Sequence, residues 1–179
     1  MLSINNTALV LVDVQGKLAD LMHERQILFE NLAKLVRGMQ VLRIPVIWLE
    51  QNPDRMDPTI PAISALLQDN QPIAKMSFSC CGAQLFLERL QATQRNQLLL
   101  AGIEAHVCVY QTALDLLARG YEVEVVVDAV SSRMLANKLV ALEKMRSAGA
   151  RLTSVEMALF ELLRTAEHPA FREILKIVK

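Results

Sequence analysis

The side chains of this sequence that could do chemistry are an acid, a cation and a thiol. Asp13 follows a run of five apolar residues, Lys75 stands among apolar neighbours, and Cys108 comes shortly after a Gly-ended apolar run. A carboxylate can take the proton of a thiol, a cation can hold the thiolate, and the thiolate can attack a carbonyl carbon. Together these residues predict a covalent thiol hydrolase.

Each of the three residues has a structural alternative when it is considered alone. At the end of a buried strand Asp13 would be desolvated and its pKa raised, but an Asp there can also cap a helix. Near a helix start the thiolate of Cys108 would be favoured, although a free Cys is often a small core residue. Lys75 is either an ordinary surface residue or a buried cation that needs an anionic partner.

The elements that must position these residues alternate along the chain. Continuous apolar runs predict buried strands, and apolar residues recurring every three or four positions predict helices. The predicted strands are 8–12, 45–49, 72–76, 97–101, 121–127 and 151–154. The predicted helices are 24–42, 61–67, 82–91, 107–118, 135–146, 156–165 and 169–179. This alternation predicts an α/β fold with a mostly parallel sheet covered on both faces, and ligands of such sheets bind at the carboxyl ends of the strands.

Length and composition restrict the class of protein. The 179 residues predict a single domain over 1–179, and 53% hydrophobic residues exclude global disorder. The 19 basic and 19 acidic residues cancel, which argues against nucleic-acid binding by bulk charge. No apolar run approaches a membrane span, and no secretory signal pattern opens the sequence. With three Cys, an odd number, the sequence predicts reduced thiols and a cytoplasmic location.

The sequence contains no recognisable metal or cofactor motif. His23, His106 and His168 are widely separated, and the adjacent Cys80 and Cys81 lack the two-residue gap of a C-x-x-C motif. Neither a G-x-G-x-x-G nor a G-x-x-x-x-G-K-[ST] pattern occurs. We therefore predict that the protein needs no metal and no cofactor.

Three segments in order carry a resemblance to a known family. Residues 8–15 (ALVLVDVQ), 75–79 (KMSFS) and 102–109 (GIEAHVCV) resemble the isochorismatase-like cysteine hydrolases, a family that includes nicotinamidases and N-carbamoylsarcosine amidases. The stretch 50–61 is similar to its uncharacterised isochorismatase domain-containing branch. The resemblance covers about residues 5–165.

The resemblance implies a fold and a set of site residues. The fold would be a three-layer αβα, Rossmann-like arrangement around a six-stranded parallel sheet in the order 3-2-1-4-5-6. Asp13 would be the general base and later acid, Lys75 would stabilise the thiolate, and Cys108 would be the nucleophile. A cis peptide would join Ile103 to Glu104, and the backbone N–H groups of Glu104 and Cys108 would form the oxyanion hole.

Departures from the family pattern direct the functional prediction. Nicotinamidases carry His metal ligands after the second strand, and residues 50–55 contain none; enzymes that open isochorismate often lack the Cys that this chain has. We predict a metal-independent cysteine hydrolase of a small amide or related carbonyl substrate, with an acyl-enzyme on Cys108. The alternatives are a non-catalytic scaffold on the same fold and a vinyl-ether hydrolase of isochorismate-like acids. Candidates for the substrate pocket are Gln15, Leu18, Gln51, Phe78 and His106.

The partners predicted are a small-molecule substrate and further copies of the chain, with no nucleic acid and no membrane. The last helix carries apolar residues at Ile174, Leu175, Ile177 and Val178. Such a face covers either the core of its own domain or a partner. Together with the family resemblance it predicts a homo-oligomer, a dimer or a multiple of one.

Overall fold

Six parallel strands form one sheet in the order β3-β2-β1-β4-β5-β6 in the computed structural model, which describes residues 1–68 and 70–179. The strands are β1 Thr7–Val12, β2 Val46–Gln51, β3 Ile73–Lys75, β4 Gln97–Ile103, β5 Glu122–Ser131 and β6 Arg151–Thr153. The predicted α/β class and strand order are confirmed. The order reverses between β1 and β4, which is where open parallel sheets bind their ligands.

Eight α-helices lie in the described residues. They are α1 Gly16–Asp20, α2 Arg25–Val41, α3 Pro61–Ser64, α4 Gln84–Ala92, α5 Tyr110–Ala118, α6 Leu135–Ser147, α7 Val155–Leu163 and α8 Phe171–Val178. A 3₁₀ turn at Cys80–Gly82 and a π-helical turn at Ala105–Val109 precede α4 and α5. Across the described residues, no helix combines the length and the apolar character needed to cross a membrane.

Several elements differ from the sequence prediction, among them α3, which ends at Ser64 rather than at Leu67. The predicted helix 107–118 begins instead with the π-helical turn Ala105–Val109. The predicted strand 121–127 continues to Ser131, so that Asp128 lies inside β5 rather than after it. There its carboxylate accepts the backbone N–H of Val155, at the start of α7, at 2.9 Å. Helix α1 was not predicted, because five residues are too few to show a helical period.

Side chains of the central strands alternate between two apolar cores. In β1, Leu9 and Leu11 point into one core, and Ala8, Val10 and Val12 point into the other. Helices α2, α7 and α8 cover the first core, and α4, α5 and α6 cover the second. Because both faces of β1 are covered, every residue of the strand is buried, which explains its continuous apolar run.

The apolar face of the last helix packs against the first core. Ile174 is fully buried there, and Ile177 and Val178 pack beside it. Of the two possibilities that the sequence left open for this face, coverage of the domain's own core is therefore the correct one. The buried part of this face therefore gives no support for a second chain.

Gly102 allows the two strands at the switch point to approach closely. It pairs with Val12, has φ +118°, and a Cβ built on it would lie 2.0 Å from the carbonyl oxygen of Val12. A side chain at this position would push β4 away from β1. The residues after these strands, Asp13 and the turn that holds Cys108, are thereby kept next to one another.

Candidate active site

The three predicted chemical residues meet at the carboxyl edge of the sheet. Asp13 follows β1, Lys75 is the last residue of β3, and Cys108 lies in the π-helical turn after β4. All three are buried, with exposures of 2%, 3% and 8%. The surface-lysine alternative for Lys75 is therefore wrong.

Lys75 is held by four acceptors. Its Nζ lies 2.6 Å from Asp13 Oδ2 and 2.7 Å from Gln51 Oε1. The backbone oxygens of Ser77 and Phe78 are each 3.1 Å away. An ammonium has three N–H donors, so the whole hydrogen-bonding capacity of this cation is used inside the protein. Its position and that of Asp13 are fixed together.

The second oxygen of Asp13 has no hydrogen bond of normal length, although the carboxyl and the Cys108 thiol lie close enough for each to shift the pKa of the other. Within residues 1–68 and 70–179, Asp13 Oδ1 is a buried side-chain atom without a hydrogen bond, a property that it shares with Trp48 Nε1. Burial raises the pKa of Asp13, and the positive charge of Lys75 partly opposes this. The backbone of Asp13 is left-handed, with φ 49°, which is uncommon outside Gly and recurs at functional sites. Asp13 is therefore a fixed carboxylate with one free oxygen and an increased affinity for a proton.

The thiol of Cys108 does not have the lowered pKa that its place near a helix start suggested. Burial raises the pKa of Cys108 to about 12, and the negative charge of Asp13 raises it further than Lys75 lowers it. Lys75 lowers the pKa less than Asp13 raises it, because the charge of Lys75 is already matched by Asp13 at 2.6 Å. The raised pKa favours the protonated thiol, so the thiol needs a proton acceptor in order to react.

A small cavity of about 130 Å³ opens onto the thiol and the carboxylate. Its walls are Asp13, Leu18, Gln51, Met56, Phe78, Ile103, Glu104, Val107 and Cys108. The pocket candidates Leu18, Gln51 and Phe78 are all in place. Met56 and Val107 were missed, since no sequence pattern distinguishes a wall residue of a cavity from any other partly buried apolar residue.

Gln15 and His106, the other two pocket candidates, do not line this cavity. Gln15 is fully buried, where its amide accepts the Gln51 N–H at 2.6 Å and donates to the backbone oxygens of Gln51 and Asp57 at 3.1 Å. His106 is not among the wall residues of the cavity, and its Nδ1 is 3.0 Å from Ser132 Oγ. Gln15 therefore links the segment after β1 to the end of β2 and to the loop that follows β2.

The long loop after β2 is fastened over the site by a buried carboxylate. Glu50 Oε1 accepts the backbone N–H of Thr59 at 2.8 Å and its hydroxyl at 2.7 Å. Thr59 also bridges to Gln15. These bonds hold residues 52–60 against the end of β1, which places Met56 in the cavity wall.

Glu104, a second acidic residue, belongs to the wall of the cavity. The peptide bond that joins it to Ile103 is cis. Its Oε2 accepts the backbone N–H of Arg133 at 3.0 Å and the Nε of Arg133 at 3.2 Å. Arg133 was not singled out from the sequence, because it lies 29 residues away and only the fold brings it to Glu104.

The other two thiols lie outside the cavity wall. Burial raises the pKa of both Cys80 and Cys81, and Cys80 has no exposed surface. Both side chains belong to the second apolar core. Among the described residues, no group of three or more His, Cys, Asp or Glu side chains is arranged to hold a metal ion.

Comparison with curated proteins places the chain among named relatives. The isochorismatase domain family matches residues 7–157. The chain is 40% identical to isochorismatase domain-containing protein 2 of Bos taurus over 97% of its own length and 83% of that protein. It is 39% identical to the secreted isochorismatase effector Isc1 of Phytophthora sojae over 98% of the chain and 85% of the effector.

Solved structures share the fold over almost the whole chain. The MAR1 ribonuclease of Caenorhabditis elegans superposes with a TM-score of 0.93 at 37% identity, covering 99% of this chain and 91% of that one. YcaC from Pseudomonas aeruginosa, solved with hexane-2,5-diol and covalent acrylamide, gives 0.92 at 26%, covering 98% and 90%.

The YcaC gene product of Escherichia coli, described as an octameric hydrolase of unknown specificity, gives a TM-score of 0.89 at 26% identity, covering 98% of this chain and 94% of that one. The domain match and the relatives agree with the strand order and with the segments that carried the resemblance. The chain belongs to the isochorismatase family and has its hydrolase fold.

Proposed function

We propose that the protein is a metal-independent cysteine hydrolase that cleaves a small amide or related carbonyl compound through an acyl-enzyme on Cys108. The observation that carries the proposal is the state of Asp13. One carboxylate oxygen is fixed by Lys75 at 2.6 Å, while the other is buried without a partner in a cavity shared with the thiol. A buried unpaired acceptor is costly in a folded protein and is expected where it serves chemistry.

The first half of the reaction forms the acyl-enzyme. Because the pKa of Cys108 is raised to about 12, the thiol loses its proton only as its sulfur attacks the carbonyl carbon. Asp13 Oδ1 accepts that proton, and the raised pKa of Asp13 favours the transfer. When the C–N bond breaks, Asp13 returns the proton to the leaving amine.

The second half releases the acid. A water molecule attacks the thioester carbon and gives a proton to Asp13, and the C–S bond then breaks as Asp13 returns the proton to the sulfur. The sum is one amide and one water converted to one acid and one amine. Lys75 holds the carboxylate in place through both halves and keeps its charge.

The negative oxygen of both tetrahedral intermediates would be bound by the backbone N–H groups of Glu104 and Cys108. In the described part of the chain, the backbone hydrogen bonds made outside helices and strands include none donated by Glu104. We propose that this N–H, which belongs to a residue of the cavity wall, is one of the two donors to the oxyanion. Fixed donors of this kind are worth about 10²–10³ in kcat in other hydrolases.

The comparisons support a hydrolase with a reactive nucleophile. The YcaC gene product of Escherichia coli is described as a hydrolase, and YcaC of Pseudomonas aeruginosa carries covalent acrylamide, a small uncharged amide. The C. elegans protein is described as a ribonuclease. A cavity of about 130 Å³ is small for a nucleotide, which favours amide hydrolysis over RNA cleavage as the function of this chain. RNA is therefore tested beside the amides.

We further propose that the protein works as a homo-oligomer in the cytoplasm. Four large apolar side chains on or next to α6 are more than 40% exposed and would be covered by a second copy: Met134, Leu135, Leu139 and Val140. The octameric E. coli YcaC is consistent with this. The secreted oomycete relative places one family member outside the cell, so the compartment needs a direct localisation experiment. The same apolar surface would serve the scaffold alternative.

The test is a panel of small amides and esters, with RNA and isochorismate-like acids included, assayed on the wild-type protein, Cys108→Ala and Cys81→Ser. We expect ammonia or amine release by the wild type and by Cys81→Ser, and none by Cys108→Ala. Intact-protein mass spectrometry after a rapid acid quench should show an acyl adduct on Cys108. Turnover that survives Cys108→Ala, or cleavage of RNA alone, would contradict the proposal.

A further inference from the structure

We infer that the acyl part of the substrate is compact, uncharged and apolar, and that the carboxylate of Glu104 keeps acids out of the cavity. The inference rests on the proposed function, because it names the substrate class of the same site. It goes beyond that proposal by assigning a specificity role to a side chain.

The size of the cavity sets the first limit. Its volume is about 130 Å³, whereas an engineered apolar cavity of about 150 Å³ binds benzene. An acyl group of up to about six heavy atoms therefore fills the space. Apolar side chains of Leu18, Met56, Ile103 and Val107 supply much of the wall, so that such a group would be bound by burial of its carbon atoms.

The charges around the cavity set the second limit. Its ionisable wall residues are Asp13, Glu104 and Cys108, and no Lys, Arg or His lies among the described residues that line it. The nearest cation, Lys75, already lies 2.6 Å from Asp13 and contacts three further oxygens. A carboxylate on the acyl group would lose its water without gaining a cation.

The ion pair of Glu104 with Arg133 leaves a negative charge near the cavity. Arg133 donates to Glu104 Oε2 from its backbone N–H and its Nε, yet it does not line the cavity and its side chain is 56% exposed. Glu104 is buried and belongs to the wall. The negative charge of Glu104 acts at the cavity, where it raises the pKa of Cys108, whereas its positive partner lies at the surface. A like charge entering the cavity would face Glu104 at close range.

The side-chain amide of Gln51 is not free to bind a polar group of the substrate. Its Oε1 accepts from Lys75 at 2.7 Å and its Nε2 donates to the Met76 oxygen at 2.8 Å. Both polar atoms of this wall residue are therefore engaged in holding the site. The cavity favours an acyl group whose one polar feature is the carbonyl that reacts.

Two alkylating reagents of nearly the same size test the charge preference without any turnover. Iodoacetamide is neutral and iodoacetate is anionic, and both react with a thiol at carbon. Peptide mass spectrometry gives the rate at which each reagent alkylates Cys108. The iodoacetamide rate is divided by the iodoacetate rate. This ratio is then divided by the same ratio for 2-mercaptoethanol at the same pH and salt, which gives a quotient that is independent of the reagents' intrinsic reactivity. We expect the quotient to be tenfold or more, and a quotient near one overturns the inference.

Variants separate Glu104 from the general shape of the site. Glu104→Gln should reduce the quotient at least threefold, while the exposed control Glu156→Gln should leave it unchanged. Met56→Lys, which places a cation in the wall, should bring the quotient towards one whether or not Glu104→Gln folds. A quotient that Glu104→Gln leaves at the wild-type value overturns the role of Glu104.

The same proteins distinguish this inference from the proposed function. If the quotient is high and the amide panel shows no turnover, the acyl-enzyme proposal fails and the charge preference stands. If amides are hydrolysed and the quotient is near one, or if succinamate is cleaved as fast as butyramide, the inference fails and the hydrolase stands.

Discussion

Charged side chains cluster at both edges of the sheet, and the two clusters differ in which atoms they leave unbonded. The amino-edge cluster consists of Gln97, Glu122, Glu124 and Arg151, at the starts of β4, β5 and β6. The carboxyl-edge cluster consists of Asp13, Gln51, Lys75 and Cys108. Each contains a buried carboxyl whose pKa is raised by burial, Glu124 in the first and Asp13 in the second.

The difference lies in how completely each carboxyl is satisfied. Glu124 Oε1 accepts from Arg151 Nε at 2.8 Å, and Arg151 reaches Glu122 at 3.1 Å. Asp13 has one oxygen at 2.6 Å from Lys75 and one with no partner, in a cavity that also holds a thiol. Burial and a raised pKa are thus common to both clusters. A buried oxygen without a partner, on a residue that lines a cavity together with a thiol, distinguishes the candidate active site from a structural network.

The largest expected effect is on catalysis at the carboxyl edge. Asp13→Asn keeps the size of the side chain and removes the proton acceptor, so kcat should fall by about 10²–10⁴. Glu124→Gln makes the same change in the amino-edge cluster and should leave kcat within about twofold. Steady-state assays of the two purified variants on an amide found active in the panel check this. If both variants lost the same factor in kcat, the unpaired oxygen of Asp13 would not distinguish a catalytic carboxyl from a structural one.

The second effect is on folding stability. Lys75→Met leaves Asp13 buried without a counter-ion, and breaking a buried ion pair in this way costs about 3–5 kcal/mol. In the double variant Asp13→Asn/Lys75→Met no charge is stranded, so most of the lost free energy of unfolding should return. Urea titrations of the wild type and the three variants measure this. A double variant as unstable as Lys75→Met would show that the loss comes from the other bonds of Lys75 rather than from the stranded carboxylate.

The third effect concerns the pH dependence of Cys108 alkylation. Because only the thiolate reacts and the pKa of Cys108 is raised to about 12, the rate should climb with pH without a plateau up to about pH 11. Removing the negative charge in Asp13→Asn should move the profile to lower pH. Removing the positive charge in Lys75→Met should move it to higher pH. Superimposable profiles with a plateau near pH 9 would mean that the three residues are not coupled, and the scaffold alternative would then be favoured.

Local pattern accounts for the parts of the molecule that the sequence predicted. The buried run of β1 and the periodic face of α2 depend on neighbours within a few residues, and both were predicted within one or two residues. The strand order came from the resemblance, because spacing alone does not say which strands pair. Asp13, Lys75 and Cys108 were expected at one sheet edge because carboxyl ends of parallel strands share an edge.

Long-range contacts account for what was missed. The direction of the Cys108 pKa shift depends on burial and on Asp13, which lies 95 positions earlier, whereas the sequence argument considered only the helix that follows. His106 was placed in the pocket as part of the matching motif, and the π-helical turn holds it outside the cavity wall. The register shift between Leu100 and Gly102 lets β5 continue past the predicted end. None of these features has a signal in a single segment.

The smallest expected effect is on stability and concerns Glu122, the exposed carboxylate of the amino-edge cluster. Its pKa is lowered, whereas those of Asp13 and Glu124 are raised. Hydrogen bonds from Gln97 and Arg151 lower the pKa of Glu122 from 4.5, so its contribution to stability is full above about pH 4.5 and is lost as pH falls through the lowered folded value. Because its side chain is 45% exposed and screened by water, Glu122→Gln should cost below about 1 kcal/mol at pH 7. Urea titrations of wild type and Glu122→Gln at pH 7, repeated at 1 M salt and near pH 4, should show a small difference that shrinks under both conditions. A loss of 3 kcal/mol or more in the free energy of unfolding would mean that this cluster stabilises the fold as much as the buried pair of Asp13 and Lys75 does. The two edges would then differ in catalysis and not in stability.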